Sequence, residues 1–324
     1  MTGQIFALIA AAFWALHVIF ARKGHNNNIQ SARPMDPMIG LFITIFVNNI
    51  VNLFVVSARH FISPPGPVDT MGIIMIAIVG VSNSFVGRGM LFIAVSILGA
   101  ARAGLTRSTM PVFVLLGGVF VLGERFPPAA WLGISIVFIS LFLMSLDTVL
   151  KEGKNREGLT QEALLSLDAK QRGKDRRRMI KGIAIGLGAA MLMGSGSILR
   201  KAGVDTLGDP LLAVAIDSFS ALLACVTVLL IRGKGVDILR AIRKLEFNYA
   251  MSGVYASAGL YAMMYSLSLI PVAITNSITA TEPLFIIIIV WLMKEGRKEK
   301  LNLATLVFGI LMVTGTIILI GSGV

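Results

Sequence analysis

The chain has 324 residues, 56% of them hydrophobic and only 14% charged, with a mean hydropathy of +0.83. Soluble domains carry about 25% charged residues, so this surface cannot be kept in water and its solvent must largely be lipid. The formal charge of +12 does not point to nucleic acid, because the charges sit in short segments between apolar runs, and the lone Cys225 excludes an intrachain disulfide.

A hydrocarbon core about 30 Å thick calls for roughly 17–25 mainly apolar residues per helix. In chain order the predicted spans fall at 3–21, 37–57, 70–96, 100–122 and 129–146, then at 180–199, 210–231, 247–269, 271–293 and 302–321. The first is read as a retained helix, since Arg22 and Lys23 follow it, the reverse of a secretory leader's charge order. The expected fold class is all-α integral membrane, with about ten transmembrane helices as two inverted five-helix repeats. The expected domains are 1–147, the first repeat; 148–179, a charged linker; and 180–324, the second repeat. Inside the linker, Leu159, Ala163, Leu164 and Leu167 keep helical spacing. Either a short headgroup-level helix or a solvated linker fits them.

The halves correspond in sequence. Ala11-Ala12 falls on Ala189-Ala190, Arg22-Lys23 on Arg200-Lys201, and Gly99…Pro111 on Pro271…Pro283. An odd number of helices per repeat inverts the second repeat, a plan of secondary transporters with the site at the repeat interface. Of the 29 Lys and Arg, 23 fall on the linker side, four on the other (Arg59, Arg125, Arg200, Lys201), and Arg88 and Arg107 lie within spans. The positive-inside rule then expects a multi-pass cell-membrane protein with a cytoplasmic linker and both termini outside.

The segment Gly99-Ala-Ala-Arg-Ala…Pro111…Leu122-Gly123-Glu124-Arg125…Gly133 resembles the fourth-to-fifth-helix signature of EamA-type drug/metabolite transporters. Pro271-Val-Ala…Glu282-Pro283…Glu295…Gly309 echoes it. The resemblance covers nearly the whole chain as architecture and implies a five-plus-five inverted-repeat carrier, often exporting metabolites or amino acids, without catalytic residues. Many relatives keep both termini in the cytoplasm; here the charge count argues for the opposite orientation.

Charges within a span cost about 2.5–3.5 kcal/mol each on insertion scales, so each calls for a reason. The candidates are His17, Arg88, Arg107, Asp217 and Glu282. At a rise of about 1.5 Å per residue, Arg107 and Arg88 lie about 10 and 12 Å from the linker face, and Glu282 and His17 about 13 Å. Thr275, Thr279 and Glu282 share a helix face, and their repeat partners are Ala103, Arg107 and Met110. Arg107 and Glu282 are therefore candidates to meet across a central cavity, as a structural ion pair or as ligand contacts. Two arginines against one carboxylate favour a ligand bearing a carboxylate or phosphate. Glu282, with His17, is either a proton-coupling group or a permanently ionised partner of an arginine.

Substrate-binding candidates around this layer are Trp14, one turn from His17; Asn48 and Asn52, a polar stripe or interhelical hydrogen bonds; Asn83 beside Arg88; Thr279; and Tyr261 with Tyr265. Gly182-x-x-x-Gly186 and Ala184-x-x-x-Gly188 allow close helix approach, within the monomer or in a homodimer. Glu124 and Glu295 at helix ends read as structural or gate residues. No G-x-x-x-x-G-K-[ST] segment is present, which argues against nucleotide hydrolysis. His17, His25 and His60 are the only histidines, with no H-E-x-x-H and no cysteine cluster, so no metal, cofactor or catalytic site is expected. The expected function is secondary active transport, by export or exchange, of a small anionic metabolite through alternating access, in contact with membrane lipid and without nucleic acid. The alternatives are an integral-membrane enzyme or a transport-inactive scaffold or receptor subunit.

Overall fold

A computed structural model describes residues 2–30, 36–62, 68–98, 100–165, 169–293 and 303–322. Among them the chain forms helices and no strand: α1 Thr2–Gln30, α2 Pro37–Ile62, α3 Thr70–Val79, a π-helical segment Gly80–Gly87, α4 Arg88–Leu98, α5 Ala100–Arg107, α6 Met110–Phe120 and α7 Pro128–Leu165. The remainder is α8 Ala169–Leu207, α9 Pro210–Ile231, α10 Gly235–Arg243, α11 Phe247–Leu269, α12 Val272–Thr279, α13 Glu282–Leu292 and α14 Leu303–Gly321.

Helix starts follow local chemistry. Asp36, Asp69 and Asp209 accept backbone N–H bonds from Met38, Met71 and Leu211 respectively, filling donors that a first helical turn leaves unpaired. Glu246 does the same for α11 through Tyr249 N–H at 2.7 Å. Gly123, Gly208 and Gly233 take left-handed φ of 67°, 70° and 69° at turns between helices, a region without cost to glycine.

Among the described residues, eight stretches are long and apolar enough to cross a membrane. The 23-residue α11 is not among them. Its tyrosines and serines lower its hydropathy, and the structure shows why it tolerates them: α11 is walled by α1, α2, α8 and α9 instead of lipid. Large apolar side chains such as Phe54, Phe120 and Ile231 instead stand exposed on the outer surface, as a hydrocarbon solvent allows.

Two expectations are corrected. The predicted spans 100–122 and 271–293 are each broken, at Ser108–Thr109 and at Ala280–Thr281. The helix expected to end at 199 runs on to Leu207, so Arg200 lies buried within the fold instead of at the face opposite the linker. Most of the expected linker is helical backbone, continuing α7 to Leu165 and opening α8 at Ala169. The side chains of Leu159, Ala163, Leu164 and Leu167, like Glu295, lie outside the described residues.

Packing pairs the halves reciprocally. α1 runs along α11, and α8 runs along α3 and α4. α2 packs on α9 and α7 on α14, so each of these contacts exchanges into another, or into itself, when the halves are swapped. Gly182 sits against Leu98 and Gly186 against Thr106, so this small-residue pair packs α8 on α4 and α5 of the same chain.

Candidate functional site

Both helix breaks are made by the same local chemistry. Pro111 and Pro283 occupy the second position of α6 and α13, where the missing N–H costs nothing. Thr106, Ser108 and Thr109 donate their hydroxyls to the carbonyls of Ala103, Leu105 and Thr106. Thr279 and Thr281 donate to Asn276 and Ile278. Each break thus satisfies its freed carbonyls from its own side chains.

The breaks put opposite charges at facing half-helix ends. Arg107 ends α5 and Glu282 opens α13, each at the end whose backbone dipole favours its sign. Arg107 Nη2 donates to Glu282 Oε2 at 3.3 Å; the arginine side chain is 40% exposed and the glutamate 9%.

Beside this pair the π-helical segment carries Asn83 and Ser84 on its buried side and ends on Arg88, whose N–H bonds to the Asn83 carbonyl five residues back. Ser84 donates to Asp217 Oδ1 at 2.6 Å. Arg200 donates to Asp217 Oδ2 through Nε at 3.2 Å and Nη2 at 2.7 Å, and to Ser84 Oγ at 3.3 Å. This triad is sealed, with side-chain exposures of 6% for Arg200 and 1% for Asp217. Arg200 was not among the predicted site residues; its only signal was an arginine within one turn of a predicted span end. Asn83 donates to the Met193 carbonyl at 3.2 Å, and bare Gly196 makes room for its amide.

Half-buried Arg88 lies within electrostatic reach of Asp217, Glu282, Arg107 and Arg200. Among the described residues its side chain makes no hydrogen bond or ion pair. Three guanidiniums thus share a layer with two carboxylates, and each carboxylate is already paired with another arginine.

The other predicted residues form a second cluster on α1, α2 and α11. His17 Nδ1 lies 2.8 Å from Ser252 Oγ and 3.1 Å from the Ser252 carbonyl. The ring is also within electrostatic reach of Arg88 and Arg107, so it borders the charged layer. Asn52 donates to Asn48 Oδ1 at 2.5 Å, accepts from Ser257, and receives the Tyr261 hydroxyl on its carbonyl at 3.4 Å. These asparagines are buried in interhelical hydrogen bonds and are closed to a ligand in this conformation. Trp14 packs over Gly259, and Tyr265 stacks on Phe6 at 5.4 Å. Thr279 is buried, its hydroxyl spent on its own helix.

On the far side of the breaks, Glu124 of the α6–α7 turn accepts the N–H groups of Val272 at 2.6 Å and Ala273 at 3.4 Å, capping α12. Burial pushes its carboxyl above the ordinary value of 4.5, and the two N–H bonds pull partly the other way. Lys201 ties the same region by donating to the Leu267 carbonyl at 2.6 Å and to Asp205 at 2.9 Å. Among the described residues no cluster of metal-ligating side chains is present.

The sequence matches the model of the EamA-like transporter family over residues 1–146 and 180–321. A crystal structure of another protein aligns over 98% of this chain and 96% of its own, with a TM-score of 0.69 at 13% identity, a likeness that shows the fold alone. No curated protein matches the sequence.

Proposed function

The chain belongs to the EamA-like transporter family, and on that premise we propose that it carries a small metabolite bearing a carboxylate or phosphate across the membrane by alternating access. The observation behind the anionic substrate is Arg88, a guanidinium without a counter-ion in a layer where Arg107–Glu282 and Arg200–Asp217 are already paired. An anion entering that layer gains charge-assisted, bidentate hydrogen bonds and neutralises the surplus charge. In this reading Arg88 and Arg107 contact the substrate, with His17 and Asn83 at the margin. Glu282 competes with the substrate for Arg107.

The chain is read as ten spans in two inverted repeats, 1–147 and 180–324, with the linker cytoplasmic and both termini outside. The reciprocal packing of the halves supports the repeat. With Arg200 inside, Arg59, Arg125 and Lys201 are the basic residues assigned to the outer face, which sharpens the charge asymmetry.

The test compares extracellular metabolites by mass spectrometry from cells overproducing the wild type, Arg88→Gln and Arg107→Gln. Anionic compounds are expected to rise outside with the wild type and to stay at background with Arg88→Gln. Transport of only cationic or neutral solutes, or unchanged anion export by Arg88→Gln, overturns the reading.

A further inference from the structure

The connection between α9 and α11 is a short helix with three distinct faces. Ile238 and Ala241 of α10 are buried against α2 and α9. At 3.6 residues per turn, Leu239 and Ile242 form the arc on one flank of that buried line and Val236 lies opposite it, and all three are exposed, Leu239 by 58%. Leu245 and Phe247, just beyond the helix, are exposed as well. The outward arc around Val236 is basic, with Arg240, Arg243 and Lys244; Arg232 and Lys234 precede the helix.

The acidic residues there do not balance these cations. Asp237 meets Lys234 at 3.6 Å and Arg240 at 3.4 Å, Asp36 takes Lys234 at 3.6 Å, and Glu246 is spent capping α11. Among the described residues Arg232, Arg243 and Lys244 have no carboxylate partner.

We propose that α10 is an anionic-phospholipid docking element, which lays Leu239 and Ile242 into the acyl boundary and holds the lipid phosphate with Arg232, Arg243 and Lys244. The bilayer is the partner that covers both arcs at once. On the proposed ten-span reading α10 joins two membrane-crossing helices and so sits at headgroup height, where apolar side chains face inward and cations meet phosphate. A soluble polyanion would pair with the cations and leave the apolar arc in water. The docking reaches the candidate site through α11, which starts two residues after Leu245 and carries Ser252 against His17 and Ser257 against Asn52. Lipid held at α10 therefore steadies the wall behind the charged layer.

The test places a nitroxide on Leu239→Cys in the full chain, Cys225 being fully buried, reconstituted in vesicles of phosphatidylcholine with or without phosphatidylglycerol. The label's collision rates with oxygen and with a water-soluble nickel chelate report its depth. With phosphatidylglycerol the oxygen-to-nickel ratio is expected to be high. It is expected to drop several-fold in phosphatidylcholine alone, and in both vesicles for the Arg232→Gln/Arg243→Gln/Lys244→Gln variant. A label that nickel reaches equally in every vesicle shows that α10 is not docked and overturns the proposal. A label equally deep in both lipids and in the triple variant shows apolar docking without headgroup recognition and also overturns it.

Discussion

Among the described residues, two arginine–carboxylate pairs in the charged layer are built for different ends. Arg200–Asp217 is short, two-pronged, braced by Ser84 and closed to solvent. Arg107–Glu282 is a single contact at 3.3 Å with the guanidinium partly open. A sealed pair has no partner in reach but itself, and removing one member leaves a charge stranded. An open pair can exchange one of its members for a ligand or for water at little cost. The first therefore locks the π-helical segment and α8 to α9, and the second is the pair that the proposed function uses to trade contacts.

Breaking the sealed pair is expected to have the largest effect. Asp217→Asn or Arg200→Met should lower stability by about 3–5 kcal/mol, read as thermal unfolding of the purified protein, and replacing both with apolar residues of similar size should restore most of the loss. A single substitution that leaves the unfolding temperature unchanged would erase the distinction between the pairs. Next comes Gly80→Ala. An added Cβ would collide with the Asp217 backbone carbonyl and with Ser220 Oγ, forcing the π-helical segment off α9 at about 1–3 kcal/mol by the same assay.

The open pair should respond in reverse. Glu282→Gln is expected to change stability by no more than about 1 kcal/mol, yet to alter uptake of the anionic substrate into proteoliposomes. A stability loss as large as that of Asp217→Asn would make this pair structural too. The smallest effect concerns Glu124. Its folded carboxyl titrates above the ordinary 4.5, so the folded protein binds the extra proton between the two values. Stability therefore falls as pH rises through that window. Glu124→Gln keeps an acceptor for the α12 donors without the charge, and its stability should be flat over the same window.

The apolar spans were legible because lipid demands long uninterrupted runs, and α9 and α11 begin and end at the predicted residues. What was not legible depends on partners distant in sequence. The two helix breaks had their signal in Pro111 and Pro283, but hydropathy ran through both and masked it. The extra residue per turn at Gly80–Gly87 has no period of its own to detect. Arg200 looked like an interfacial cation because hydropathy cannot say that Asp217 and Ser84 wait inside for it. The meeting of Arg107 and Glu282 was readable from the repeat offset, whereas the locking of Asn48 and Asn52 required knowing where Ser257 and Tyr261 would stand.

The two helix breaks have one more consequence. Their hydroxyls bond to carbonyls three residues back on the same helix, so each joint can flex without giving up a bond to a neighbour. Arg107 belongs to one joint and Glu282 to the other, which makes their contact a tie rod between two levers. While it holds, a swing of one half-helix drags the other; under the proposed function, a substrate anion that takes Arg107 away from Glu282 unpins the rod and lets the levers move separately.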